Sequence, residues 1–384
     1  MEFSWTSDQL AFRASVIDFA RDQLGHDVVA ADAANDHFSR DTWQKCAAVG
    51  LTGFTLPDEY GGQGADARTT MLAMEALGYG CRDNGLIFSI NAHLWSAAMP
   101  ILRFGTEAQK DQYLPGLASG ELIGVQAMTE PDTGSDAFSL RTEAKLTDDG
   151  YKLSGSKTYI TNAPVADVFV VFASTNPKLG AMGLSAFLVE RDTPGLTVGK
   201  PFTKMGLRTS PMSELFFDDC LVDAERMLGK PGNGMAIFNH SIDWERACIL
   251  ASVIGTMDRQ IETAIEYAKQ REQFGKPIGD FQAVSHRIVD MKVRADAGRM
   301  LLYRAGWEKD KAGGGVVPLH SAMAKLFISE AFVQSSLDLL QVHGGYGYMT
   351  ESDIERDVRD AVASRIYSGT SDIQRNIIAS ALGL

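Results

Sequence analysis

The period of the hydrophobic pattern changes twice along this chain, and those two changes constrain the fold more than any single motif. Up to about residue 122, apolar residues recur at helical spacing, over 7–24, 42–49, 69–77 and 88–104. The stretch Pro57-Asp58-Glu59-Tyr60-Gly61-Gly62-Gln63-Gly64 interrupts them as a loop. From Ile123 the pattern shortens into runs rich in Val, Ile, Phe and Thr, at 151–153, 158–161, 168–173, 184–189, 196–198 and 215–222. Past Pro231-Gly232-Asn233-Gly234 the helical period returns. Ile254, Met257, Ile261 and Ile265 share one face, Val284, Ile288, Met291 and Ala295 start another, and helices over 322–340 and 373–382 follow. The order predicts an α+β protein with an N-terminal helical domain (1–122), a small central antiparallel β-domain (123–232) and a C-terminal helical bundle (233–384).

Charge and cysteine usage exclude several classes. The formal net charge is −13 with no dense Lys/Arg run, which argues against a nucleic-acid partner. Cys46, Cys81, Cys220 and Cys248 are scattered without metal spacing and read as reduced core residues. The opening Met1-Glu2-Phe3-Ser4-Trp5 lacks the basic and apolar regions of a signal peptide, and no uninterrupted apolar run reads as a membrane span. The expectation is a cytoplasmic protein without membrane attachment or a metal.

Six segments carry candidate chemistry. Met128-Thr129-Glu130-Pro131-Asp132-Thr133-Gly134-Ser135-Asp136 offers hydroxyls and free backbone N–H groups to a phosphate or a flavin edge; by composition it is equally a turn. In Lys157-Thr158-Tyr159-Ile160-Thr161, strand alternation puts Tyr159 and Thr161 on one face, an aromatic ring beside a hydrogen-bond donor. Arg271 stands at a helix end before Phe274-Gly275, a position for a pyrophosphate contact or for a cation complementing the helix dipole. The glycines of Gln341-Val342-His343-Gly344-Gly345 allow close backbone approach, and His343 reads as a core or capping histidine. In Tyr367-Ser368-Gly369-Thr370-Ser371-Asp372, Thr370 or Ser371 is a candidate N-cap at a helix start that suits an anion. In Ile242-Asp243-Trp244-Glu245-Arg246-Ala247-Cys248-Ile249, Glu245 shares a helix face with Ile242, Cys248 and Ile249. A carboxylate in such surroundings is a base with a raised pKa, or else an ion-pair partner.

Taken together, "TEPDTGSD", "KTYITNA", "REQFGKPIGDFQ", "QVHGGYGY" and "IYSGTSDIQRNIIA" resemble the acyl-CoA dehydrogenase family over nearly the whole chain. The resemblance implies that family's fold: a helical N-terminal domain, a central β-domain and a C-terminal four-helix bundle. It also implies FAD and a homotetramer or dimer. Met128 and Thr129 would contact the flavin ring, Ser135 the phosphate region, Tyr159 the ring face and Thr161 the N5 edge. Arg271, Phe274 and Gln282 would reach the FAD of a neighbouring subunit, with Gln341 and Gly345 at its adenosine end. Thr370 and Asp372 would hold the pyrophosphate.

One departure locates the catalytic base. Many members carry a catalytic Glu before the "GT" of the last motif, where this chain has Ser368. A minority place the base on the helix that opens the C-terminal domain, and Glu245 stands there, with Arg246 beside it for positioning. The resemblance implies that the backbone N–H at Ser368 would still serve the thioester carbonyl. "DWERAC", "CRDNGLIFSINAH" and "QFGKPIGDFQAVSHRI" further resemble the branch that oxidises L-prolyl thioesters on peptidyl carrier proteins to pyrrolyl thioesters. Trp95, Phe88 and Trp244 would line a compact pocket for the ring, or pack the core. The alternatives are a short- or branched-chain acyl-CoA dehydrogenase and a non-catalytic flavin-binding protein. The electron acceptor is open between electron-transfer flavoprotein and dioxygen.

Overall fold

The computed structural model describes residues 4–25, 27–34 and 38–384. The opening Met1, Glu2 and Phe3, on which the leader-peptide reading largely rests, lie outside the described residues. Seven helices come first: α1 (Ser7–Gln23), α2 (Val28–Ala33), α3 (Arg40–Ala48), α4 (Ala67–Gly80), α5 (Asn84–His93), α6 (Met99–Phe104) and α7 (Glu107–Ala118). Their starts are written in the sequence. Thr6, Asp27, Ser39, Asp66, Asp83 and Thr106 each accept a backbone N–H of the first turn, and Thr6 and Thr106 complete capping boxes with Gln9 and Gln109.

Between α5 and α6 lies a π-helical turn, Leu94–Ala98, so one apolar rod runs from Asn84 to Phe104. By length and composition that rod could cross a bilayer, unlike the sequence reading, which found no such run. It is instead a core element: 89% of its most apolar window is buried inside the protein.

An eight-stranded sheet follows: β1 (Gly124–Ala127), β2 (Glu143–Thr147), β3 (Gly150–Thr161), β4 (Val168–Ser174), β5 (Leu184–Glu190), β6 (Leu196–Val198), β7 (Met212–Val222) and β8 (Met227–Leu228). The order is β6-β7-β3-β2-β4-β5-β8, with β1 beside β4. Neighbours are antiparallel except at β4, which β1 joins in parallel and β2 meets in parallel at one residue pair. The runs at 151–153 and 158–161 belong to one strand, β3, bent by irregularities against β7. The second lies between Lys157 and Ile160 and sets Tyr159 in the left-handed region (φ 57°). It shifts the pleat by one residue: Leu153 and Lys157 are buried before it, Thr158 and Ile160 after it, and Tyr159 and Thr161 face outward.

The C-terminal helices are α8 (Gly234–Cys248), α9 (Ala251–Gln270), α10 (Gln282–Lys311), α11 (Pro318–His343), α12 (Ile354–Ser364) and α13 (Ser371–Ala381). A short hairpin of β9 (Glu272–Gln273) and β10 (Lys276–Pro277) joins α9 to α10. α9, α10 and α11 pack on one another, with α12 and α13 against α11. α4 ties the two helical regions together by crossing α9 backbone to backbone: a Cβ at Gly78 would sit 1.8 Å from the Ser252 carbonyl oxygen, and one at Gly255 would sit 1.9 Å from that of Glu75. The four cysteines are buried, and burial pushes the Cys81 and Cys248 thiols up to about 12.

Candidate active site and cofactor surface

Three separate segments converge on Glu245. It lies in the last turn of α8, partly buried. The Ser368 hydroxyl donates to its Oε1, and the Ser96 hydroxyl, from the π-helical turn, lies 3.3 Å from Oε2. Ser368 and Glu245, linked in the sequence only through resemblance, are thus in direct contact. Burial pushes the Glu245 carboxyl up, while Ser368, Arg246, Ser96 and Lys325 act in the opposite sense. A π-helical turn inserts an extra residue and re-aims the side chains around it, which is how Ser96 comes to face α8.

α8 is anchored on its other faces. Asp243 pairs with the buried Lys309 at 2.7 Å and accepts the Val317 N–H, and the Trp244 indole donates to Gly314 O at 3.0 Å. Trp95 stacks on Trp244 with centroids 5.7 Å apart and donates to Asn91. Both indoles are buried and hydrogen-bonded to protein partners. Phe88 sits in a narrow pocket that Tyr367 also lines, the two ring centroids 4.7 Å apart.

The Ser368–Gly369 turn has two successive left-handed residues (φ 56° and 87°) with its carbonyls directed inward. Arg246 Nε donates to Ser368 O at 2.9 Å, Lys325 Nζ to Gly369 O at 2.8 Å, and Gln374 Nε2 to both. A Cβ at Gly369 would come within 2.9 Å of Gln374 Nε2 and 3.2 Å of an Arg246 nitrogen, so glycine is required there.

Apart from Thr370 and Asp372, which stand at the start of α13, the sequence-predicted flavin residues fall on two surfaces. On the first, Met128 is buried at the end of β1, Thr129 is half-buried and Ser135 is exposed in the following loop. Thr158 N–H donates to Thr129 O at 2.9 Å, which sets this loop against β3, where Tyr159 is 65% exposed. A buried ion pair holds the loop: Lys157 Nζ lies 2.8 Å from Glu130 and 3.1 Å from Met128 O, and Glu130 also accepts the N–H groups of Arg141 and Thr142. Desolvation pushes the Lys157 ammonium down to about 8.

The second surface is an open cleft of about 600 Å³ between the end of α9 and the end of α11. Arg271 and Gly345 line it; Gln341 near the end of α11, Phe274 in the β9–β10 turn and Gln282 at the start of α10 are exposed. Its floor is aromatic, with Tyr267 and His343 stacked at 4.2 Å. His343 is buried, its Nδ1 bonded to Leu339 O, as expected of a core histidine. Phe274 is 93% exposed with φ 53°, an apolar side chain held out from its own subunit. Side chains at Gly344 or Gly345 would meet no atom within 4 Å, so the backbone is open to a close-approaching group. Thr370 caps α13 by accepting the Ile373 N–H, and Asp372, exposed, pairs with Arg375 at 2.9 Å. These donors, the aromatic floor and the open glycines suit a dinucleotide bearing a planar ring system.

Sequence reasoning missed Ser96, Glu130, Lys157, Lys325 and Gln374. Only Lys325 carried a usable signal: it falls on the helical face of Ala322, Ile328 and Ser329, where a lysine is out of place.

Comparison with known proteins agrees with this arrangement. The acyl-CoA dehydrogenase N-terminal, middle and C-terminal domain families match residues 6–121, 125–220 and 232–383. The chain belongs to the acyl-CoA dehydrogenase family. Within it, the chain is similar to an L-prolyl-[peptidyl-carrier protein] dehydrogenase of Pseudomonas fluorescens, 45% identical with all of both chains covered. Among solved structures it is similar to the prolyl acyl carrier protein oxidase AnaB, 49% identical over 99% of this chain and all of that one, with a TM-score of 0.97. PigA with FAD and proline is 44% identical over all of both chains, also with a TM-score of 0.97.

Proposed function

We propose that this chain is an FAD-dependent dehydrogenase that oxidises an L-prolyl thioester on a peptidyl carrier protein to the pyrrolyl-2-carboxyl thioester, in natural-product biosynthesis. The observation that carries the reading is the contact between Ser368 and Glu245, a base placed on α8 and serving the position that Ser368 leaves without a carboxylate. The full-length similarity to prolyl carrier protein enzymes supports the choice of substrate.

Glu245 takes the proton from the carbon alpha to the thioester carbonyl. Its burial makes it a stronger base than an exposed carboxylate, and the two serines hold it in one orientation. Arg246 and Gln374 keep the Ser368 carbonyl turned inward, which leaves the N–H of this turn for the substrate carbonyl, where negative charge develops. When bound, FAD supplies the two-electron acceptor for the hydride leaving the adjacent carbon. Met128, Thr129, Ser135, Tyr159 and Thr161 would hold it from one subunit, with Thr370 and Asp372 at the pyrophosphate. Arg271, Phe274, Gln282, Gln341 and Gly345 would hold it from a neighbour, in a homotetramer or dimer. Reaching pyrrole takes two such two-electron oxidations. The partner that would take the electrons onward is electron-transfer flavoprotein or dioxygen, and the enzyme works in the cytoplasm.

The test is to mix FAD-loaded protein with prolyl-loaded carrier protein and follow flavin absorbance together with the intact mass of the carrier. Bleaching with stepwise loss of about two and then about four mass units is expected. No change with the carrier, and bleaching by a short branched acyl-CoA instead, would move the enzyme to acyl-CoA oxidation.

A further inference from the structure

Lys325 is a buried ammonium that the reaction as described does not use. Its side chain is fully buried on α11. Among the described residues no carboxylate forms a salt bridge with it; the Gly369 carbonyl, 2.8 Å away, and the ring of Tyr367, 5.9 Å away, take that place. Burying a lysine this way is costly, and a single carbonyl is a poor return for stability alone.

Its position supplies the reason. The groups facing this corner are Glu245 and Arg246 from α8, Lys325 and Glu330 from α11, and the phenol of Tyr367, which burial keeps neutral. Glu330 is engaged elsewhere, with Arg365 at 3.0 Å and the Ser371 hydroxyl at 2.7 Å. Glu245 is engaged by the serines. The Ser368–Gly369 turn directs two consecutive carbonyls into the same buried space, which is stable only with donors opposite both. Gln374 reaches both carbonyls from α13, and Lys325 meets Gly369 as a second, charged donor from α11.

We infer that Lys325 is a positioning residue for the Glu245–Ser368 pair: its ammonium pins the Gly369 carbonyl, keeps the turn left-handed, holds the Ser368 hydroxyl on Glu245 and gives that base a buried positive neighbour. The inference rests on the reading of Glu245 as the base. Desolvation, with Arg246 nearby, pushes the Lys325 ammonium down to about 8, which still leaves it charged where a carboxylate base operates.

The experiment is the pH profile of flavin reduction by prolyl-loaded carrier protein, comparing wild type with K325M, K325Q, K325R and E245Q, together with melting temperature. K325M should move the acid limb of kcat/KM to higher pH by about one unit, since a positive neighbour of the base is lost. It should lower kcat at neutral pH by roughly tenfold or more, with KM little changed, while the melting temperature reports whether the fold is kept. K325R should restore the limb. K325Q keeps a donor but no charge, and should show the limb shift with a smaller loss of kcat; it serves if K325M does not fold. An inactive E245Q beside a K325M or K325Q of wild-type limb and kcat overturns this inference alone. An E245Q of wild-type rate overturns the base assignment and this inference together.

Discussion

Replacing Ser368 by Ala isolates one hydrogen bond to the base. The Ser368 hydroxyl donates to Glu245 Oε1, and its other polar neighbour, Ser96, stands at 3.3 Å from the second oxygen. A hydrogen bond to a charged group contributes about 1.5–3 kcal/mol. One pKa unit corresponds to about 1.4 kcal/mol, so losing the bond should raise the Glu245 pKa by roughly one to two units. The sign follows from the role: the base works ionised, the lost donor favoured the ionised form, and burial already pushes the carboxyl upward. The acid limb of kcat/KM should therefore move to higher pH by that amount. Turnover below the limb should fall roughly 10- to 100-fold and recover at higher pH. Serine and alanine are alike unsuited to φ 56°, so the turn is strained to a similar extent in both and the melting temperature should change little. The assay is rapid-mixing flavin reduction between pH 5.5 and 9 with prolyl-loaded carrier protein. An S368A enzyme with the wild-type limb and full activity at low pH would refute the claim that this hydroxyl tunes the base.

Two predictions concern the scaffold. Gly255→Ala should lower the melting temperature by several degrees, because its Cβ meets the Glu75 carbonyl oxygen at 1.9 Å and forces α4 from α9, outweighing the roughly 1 kcal/mol that alanine adds to a helix; an unchanged melting temperature would show that the crossing yields. Stability should also fall as pH drops from about 6.5 to about 4. Burial holds His93 at about 4 in the fold, where its Nε2 faces two carbonyls and its Nδ1 accepts the Gly124 N–H, so the unfolded chain takes up the proton first. The full contribution is present above pH 6.5 and is on the order of 3 kcal/mol. Urea midpoints across that window should fall, and less so in H93Q; an equal fall in H93Q would assign the effect elsewhere.

Several features of this protein were legible in the chain because they are local. The cap at Thr370 needs only the next three residues, and the helical and strand periods need only a window of ten or so. Thr129 comes beside Tyr159 because adjacent loop and strand pair through Thr158. Glu245 and Ser368 were linked in sequence only as a carboxylate present in one place and missing in another, through resemblance to a family.

That the two actually touch was decided by tertiary packing. The contact spans 123 residues, and the one between Ser96 and Glu245 spans 149. Ser96 faces α8 because a π-helical turn re-registers its helix, and the outward face of Tyr159 follows a bulge in β3; neither irregularity has a periodic signature. The partners of the buried Lys325 and Lys157 lie far along the chain: the Gly369 carbonyl for one, the Glu130 carboxylate and the Met128 carbonyl for the other. Local chemistry determines where helices and strands begin and which side chains face inward. Which polar groups then find each other depends on how those elements pack, since a buried donor is tolerated only where the assembled fold supplies its acceptor.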